Sequence, residues 1–226
     1  MRPSPFQLII FDCDGVLIDS EIISARMLIA ALADRGVVID LPYVSRHFLG
    51  RSYPVVMQTI RQDFGLDLPP GFEEDYRERL LEGFRQSLTI MPGVRAVLQG
   101  LGVPFCVATS SSPRRVEMSL TLVGLWQTVR NRTFTASEVA RGKPAPDLFL
   151  HAAARMGADP ARCLVIEDSL TGIQAARAAG MTVWRFTGGS HMGPDTPPEP
   201  PEARPHARFA SFAEFFQIAP ELKAPT

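Results

Sequence analysis

Asp12 and Asp14 stand two residues apart where an apolar run, Phe6-Gln7-Leu8-Ile9-Ile10-Phe11, ends, and Gly15 follows them. Such a stretch reads as a buried strand, and open α/β sheets carry their chemistry at the carboxyl ends of strands. Folding alone gives no reason to put two carboxylates there. Three other segments carry groups of the same kind. Thr109, followed by Ser110, Ser111 and Ser112, ends the run Val103-Pro104-Phe105-Cys106-Val107-Ala108. Glu167 and Asp168 end Cys163-Leu164-Val165-Ile166, and Lys143 lies in Gly142-Lys143-Pro144-Ala145-Pro146-Asp147. A parallel sheet would bring the strand-end members to one edge. The result is an acidic cluster with one cation and several hydroxyl donors.

Unit charges about 4 Å apart interact by about 4 kcal/mol at an effective dielectric near 20, so crowded carboxylates need a counter-ion. The acids have only oxygen ligands beside them in the sequence, with no His or paired Cys. That set suits Mg2+ rather than zinc. A site of this kind, with Lys143, Thr109 and the backbone N–H groups of Ser110 and Ser111, is equipped to hold a phosphate dianion. One carboxylate can attack phosphorus in line. The acid two residues further on can protonate the leaving oxygen and later deprotonate water, help worth roughly 100- to 10,000-fold. A calcium-binding EF-hand does not fit, because the position that should be Glu is Ile23.

The elements that must position these groups are legible as alternating strands and helices. Met181-Thr182-Val183-Trp184-Arg185-Phe186 is a further strand. Val94, Val97, Leu98 and Leu101 follow Pro92-Gly93 at helical spacing. Phe149, Ala152, Ala153 and Met156 do the same after Pro146, and Ile173, Ala176 and Gly180 lie in a third such stretch. This predicts an α/β fold with a doubly wound, Rossmann-like parallel sheet. The interval from about 17 to 90 is too long for one crossover. Ser20 reads as a helix N-cap, Ile22, Ala25, Ile29, Leu32 and Ala33 form a stripe, and Gly36 is a stop. Further helices are expected over 54–64 and 72–84. The chain is thus expected to hold a core of residues 1–16 and 90–226 and an inserted helical cap of 17–89. Gly188 to Pro205 reads as a loop, His191 within it as a surface histidine, and Phe212, Phe215 and Phe216 as a short docking helix.

With 226 residues, 46% hydrophobic, the chain is long enough to bury a good core. Lys plus Arg total 23 against 24 for Asp plus Glu, without a basic block. Nucleic acid and anionic membrane surfaces are therefore not expected partners. Cys13, Cys106 and Cys163 sit in or beside strand-like runs and read as reduced core residues. No apolar run approaches a membrane span or a signal sequence, so a cytoplasmic monomer is expected.

Each segment alone is ordinary; their order is not. The chain resembles the haloacid dehalogenase superfamily, in the helical-cap branch of phosphoglycolate phosphatases, sugar phosphatases and β-phosphoglucomutases. The likeness runs from about residue 6 to 187 and rests on Asp12-Cys13-Asp14-Gly15-Val16-Leu17, Thr109, Lys143 in Lys-Pro-Ala-Pro-Asp, and Glu167-Asp168-Ser169 leading to Gly172-Ile173. It implies Asp12 as nucleophile and Mg2+ ligand, and Asp14 as acid/base lending its backbone carbonyl to the metal. Asp168 would bind Mg2+, Glu167 would do so directly or through water, and Thr109 and Lys143 would hold the phosphoryl group. Dehalogenases of the superfamily lack an acid at the Asp14 position, which favours phosphoryl transfer. Arg51, in His47-Phe48-Leu49-Gly50-Arg51-Ser52, resembles a cap loop facing the site, and Glu21 and Ser24 are further candidates for the cleft.

The expected activity is Mg2+-dependent hydrolysis of a small phosphate monoester, a sugar or sugar-acid phosphate. A mutase is the alternative. Those enzymes carry a cap histidine and arginine where this chain has Ser24 and Tyr53, with Arg51 close by. A non-catalytic binding protein is a further alternative, against which every motif residue is intact.

Overall fold

The computed structural model describes residues 4–225 apart from 49, 67, 70, 194, 195 and 197. Parts of three expected loops therefore lie outside the described residues. Six parallel strands form one sheet in the order β3-β2-β1-β4-β5-β6. They are β1 (Leu8–Phe11), β2 (Phe105–Thr109), β3 (Thr133–Thr135), β4 (Cys163–Glu167), β5 (Thr182–Phe186) and β6 (Ala207–Phe209). The central strand β1 is wholly buried. Its side chains alternate between faces, as the two-residue period of a strand requires. Ile9 and Phe11 join one core layer with Val107, Leu164, Ile166 and the aromatics Phe209, Phe212 and Phe215. Leu8 and Ile10 join the other with Cys106, Val165, Phe149 and Ile173.

Helices α5 (Val94–Gly100) and α6 (Pro113–Leu122) cover the first face. Helices α8 (Asp147–Arg155) and α9 (Leu170–Ala178) cover the second. A short α7 (Trp126–Val129) and a terminal α10 (Phe215–Ile218) complete the core. Two strands escaped the sequence reading. β3 and β6 are three-residue edge strands, too short to show alternation, and only pairing with β2 and β5 defines them. Cys13, Cys106 and Cys163 are free and buried, as expected. None of the described helices is long and apolar enough to cross a membrane.

Between β1 and α5 lie α1 (Glu21–Ala33), α2 (Leu41–His47), α3 (Tyr53–Phe64) and α4 (Phe72–Ser87). Leu28, Leu32, Ile60, Leu80 and Phe84 close a hydrophobic cluster of their own. α2 was not expected; Asp40 caps it by accepting a hydrogen bond from the Tyr43 N–H at 2.9 Å, and a proline occupies its first turn. The two connections to this helical unit run side by side, with Asp19 N–H donating to Thr89 O at 2.9 Å and Met91 N–H to Leu17 O at 3.0 Å. The unit is thereby held over the carboxyl ends of β1, β2 and β4.

Candidate active site

The strand order reverses beside β1, since β2 and β3 lie on one side and β4 and β5 on the other. Loops leaving β1, β2 and β4 diverge there and open a crevice. Asp12 leaves β1, Thr109 closes β2 and Glu167 closes β4, so all three side chains meet in that crevice.

Lys143 binds the acids together. Its Nζ donates to Asp12 Oδ1 and Glu167 Oε1, both at 2.7 Å, and to Ala108 O at 3.2 Å. Its side chain is 1% exposed. Burial disfavours the ammonium, but Asp12 and Glu167 outweigh it and hold the lysine charged, with its pKa raised. The second oxygen of Glu167 accepts from the Ser169 N–H at 2.7 Å and Ser169 Oγ at 2.9 Å. Arg185 Nε donates to the Asp168 carbonyl at 3.0 Å, fixing the backbone beneath that residue.

Asp12, Glu167 and Asp168 each bring a carboxylate oxygen within 4.8 Å of one another, and all three are buried. One ammonium stands against three carboxylates. Burial first, then Glu167, pushes the Asp168 carboxyl well above the ordinary range. Asp12 is also raised, by burial and its acidic neighbours, although Lys143 opposes the shift. Asp168 Oδ2 is buried without a hydrogen-bond partner among the described residues. An orphaned oxygen amid surplus negative charge is what a hard divalent cation would satisfy. The residues therefore fit a divalent metal.

Asp14 lives differently. Its side chain lies outside that acidic triad and takes hydrogen bonds from Ser20 Oγ and Ser111 Oγ, each at 2.6 Å, from Arg115 Nη2 at 2.8 Å and from Thr109 Oγ1 at 3.4 Å. Burial pulls the carboxyl up, but the Arg115 guanidinium and the serine hydroxyls outweigh it and hold Asp14 below the ordinary carboxylate range. Ser20 does stand at the start of α1, but without a side-chain cap bond. Its hydroxyl is spent on Asp14 instead.

One cavity of about 140 Å³ joins the sheet edge to the helical unit. Asp12, Asp14, Thr109, Ser110, Ser111 and Lys143 line its floor. Glu21, Ser24, Arg51, Tyr53, Tyr76 and Arg77 line the other side, Glu21, Ser24 and Arg51 being the helical-unit candidates from the sequence. Ser110 Oγ donates to Gly50 O at 3.3 Å and ties the two sides together. Glu167 and Asp168 sit behind Asp12 rather than on the cavity wall.

Two residues were missed. Arg115 of α6 carried no signal beyond a Ser-Pro helix start, yet it bridges Asp14 to Ser24 Oγ of α1 at 3.1 Å. His191 was expected on the surface, but its side chain is only 7% exposed, and its Nε2 lies 3.0 Å from Asp168 Oδ2. The loop after β5 folds back over the sheet edge, which local composition did not reveal.

Burial, then Asp14 and Asp168, lifts the Glu21 carboxyl from its ordinary range to about 8. The native state thus holds a proton there that the unfolded chain releases above its ordinary pKa, so stability falls as pH rises between about 4.5 and 8. Glu21→Gln is expected to melt near the wild-type temperature at pH 4.5 and several degrees above it at pH 8, read by thermal unfolding with EDTA present. Equal melting temperatures at both pH values would contradict the buried, protonated Glu21.

The family model for haloacid dehalogenase-like hydrolases matches residues 6–180. Among characterised relatives, the 6-phosphogluconate phosphatase of Escherichia coli is 27% identical over 97% of this chain and 95% of its own. The fructose-1-phosphate phosphatase YqaB of the same organism is 33% identical over 76% of this chain and 92% of its own. A solved haloacid dehalogenase-like protein from Agrobacterium tumefaciens superposes with a TM-score of 0.81 at 34% identity, over 95% of this chain and 98% of its own. With its motifs gathered at one sheet edge and matched along most of its length, the chain belongs to the haloacid dehalogenase-like hydrolase family, and it is a hydrolase whose relatives include phosphatases.

Proposed function

We propose that the chain is a Mg2+-dependent phosphatase that hydrolyses a small phosphate monoester of the sugar or sugar-acid class through an aspartyl-phosphate on Asp12. The observation that carries this reading is Asp12 itself, held by Lys143 at 2.7 Å on the floor of a cavity it shares with Thr109, Ser110 and Ser111. Asp12, Glu167 and Asp168, with the backbone carbonyl of Asp14, would hold the cation. When bound, the cation neutralises the carboxylates and polarises the phosphoryl oxygens.

The protein's own groups then divide the work. Lys143, Thr109 and the backbone N–H groups of Ser110 and Ser111 orient the phosphoryl group. A carboxylate oxygen of Asp12 forms a bond to phosphorus as the ester oxygen leaves with a proton from Asp14. Water then attacks the aspartyl-phosphate, Asp14 takes its proton, and the Asp12 carboxylate is regenerated. Arg115 favours the ionised Asp14 that the second step needs. For the first step Asp14 must hold a proton, so the guanidinium must be drawn off, and substrate oxygens in the same cavity are the groups to do it. Arg115→Gln is expected to raise the Asp14 pKa and shift the acid limb of aspartyl-phosphate breakdown, the step in which Asp14 is the base, to higher pH. An unmoved limb would remove Arg115 from this role.

Residues 17–89 are read as a cap on a core of 1–16 and 90–226. The cap excludes water and selects the leaving group. Arg51, Arg77, Tyr53, Tyr76 and Ser24 line its side of the cavity and suit hydroxyls and a second anionic group. The E. coli relatives that act on 6-phosphogluconate and fructose 1-phosphate support the same class.

The test is phosphate release across a panel of sugar phosphates, sugar-acid phosphates, phosphoglycolate and nucleotides. Selective release that EDTA abolishes and Mg2+ restores is expected, whereas full activity in metal-free buffer would overturn the site. A mutase needs a group to shuttle protons on the sugar. Ser24, already engaged by Arg115, does not supply one, and glucose 6-phosphate formed from β-glucose 1-phosphate would reverse this choice.

A further inference from the structure

β5 carries one charged residue, Arg185, in the run Thr182-Val183-Trp184-Arg185-Phe186, and that arginine is only 5% exposed. A buried guanidinium needs partners for its fork of donors. The ladder between β4 and β5 ends with Glu167 opposite Arg185, so Asp168 is the first residue beyond it. Arg185 Nε takes over at that point by donating to the Asp168 carbonyl at 3.0 Å. The Ser169 N–H donates to Glu167 Oε2 at 2.7 Å. Both polar groups of the peptide joining Asp168 to Ser169 are therefore held, the carbonyl by Arg185 and the N–H by Glu167.

Arg185 is itself locked from the loop after β5. Its Nη1 donates to Glu199 Oε1 at 2.9 Å, and its Nη2 lies 3.9 Å from Met192 Sδ. The Glu199 side chain is 12% exposed and also accepts from Arg208 Nε at 3.0 Å. Arg185 and Arg208 stand opposite each other in the pairing of β5 with β6. Like charges at one register position repel, and Glu199 balances them. Hydrogen bonds from Arg208 and Arg185 hold its carboxyl below the ordinary range, against the pull of burial. Neither Arg185 nor Glu199 lines the cavity. Their contacts end instead on Asp168, whose Oδ2 is buried without a hydrogen-bond partner among the described residues.

We propose that Arg185 and Glu199 are positioning residues for the divalent cation: Glu199 locks the guanidinium, and the guanidinium holds the Asp168 backbone where its carboxylate meets the cation together with Asp12 and Glu167. Partners of this kind behind a metal ligand are worth about 10- to 100-fold in affinity. The loop between β5 and β6 thus serves the site without supplying a ligand. This rests on the reading that Asp12, Glu167 and Asp168 hold a divalent cation.

The test is calorimetric titration of the full chain, stripped with chelator, with Mg2+ alone. Glu199→Ala is expected to weaken Mg2+ binding about 10- to 100-fold. Arg185→Lys is expected to do the same from the other end, because one ammonium does not reproduce the fork. Glu199→Gln keeps an acceptor for Arg185 without the charge and is expected to recover most of the loss. Arg208→Ala loosens the same loop from its exposed side and is expected to change Mg2+ binding little. Unchanged Mg2+ binding in folded Glu199→Ala and Arg185→Lys would overturn the positioning role and leave the carboxylate site standing. Glu199→Gln as weak as Glu199→Ala would assign the effect to charge, and an equal loss in Arg208→Ala would assign it to loop stability. Either result would overturn positioning as well. No Mg2+ binding by the wild type would overturn the carboxylate site with it.

Discussion

Asp12→Asn is expected to reduce phosphate release by about 10,000-fold or more, the scale seen when a covalent nucleophile is removed. The amide keeps the shape and one acceptor oxygen for Lys143, so the hydrogen bond at 2.7 Å has a partner of the same geometry. What is lost is the lone pair that attacks phosphorus. The fold is expected to survive, because the substitution also removes one charge from a buried cluster in which Asp12 is already raised by burial and its acidic neighbours. The direct check is acid-quenched turnover followed by peptide mass analysis. A phosphoryl adduct on the Asp12 peptide is expected in the wild type and absent in the variant. A variant that turns over at more than a hundredth of the wild-type rate, with an unchanged melting profile, would remove Asp12 from the nucleophile's role.

Lys143→Met carries the second large effect, and on stability as well as rate. The side chain is 1% exposed and its charge is shared between Asp12 and Glu167 at 2.7 Å each. Removing one partner of a buried ion pair leaves uncompensated charge and costs about 3–5 kcal/mol. At about 2–4 °C per kcal/mol for a chain of this size, the melting temperature is expected to fall by roughly 6–20 °C in metal-free buffer. The sign of the pH dependence follows. Without the ammonium, the Asp12 pKa rises further, and protonation relieves the repulsion, so the deficit is expected to be smaller at pH 5 than at pH 7.5. Thermal unfolding at both pH values checks this. A deficit that grows on acidification would show that the cation is not what balances the cluster.

The two substitutions separate the roles that one cavity combines. Asp12 is expected to matter for rate with the fold intact, whereas Lys143 is expected to matter for both. Arg115 differs again, because it touches Asp14 and Ser24 of the helical unit together, and its effect is read from a pH profile.

The amino-acid sequence by itself determined which polar residues stand at the sheet edge. Buried strands of this kind are continuous apolar runs, so β1, β2, β4 and β5 and the polar residues that end them were visible within short windows. That is why Asp12, Asp14, Thr109, Lys143, Glu167 and Asp168 are legible from the sequence alone. Tertiary structure decided what had no local signature. The edge strands β3 and β6 exist only through their neighbours' hydrogen bonds. Arg115 meets Asp14 across 101 positions of sequence, and no periodicity marks an arginine that turns inward. His191 was hidden in a Pro- and Gly-rich stretch whose composition says loop but not where the loop returns. The absence of a nitrogen donor near the acids held only along the chain, because the fold brings the imidazole to within 3.0 Å of Asp168. A side chain's neighbours in space, rather than in sequence, set its burial, its charge and its use.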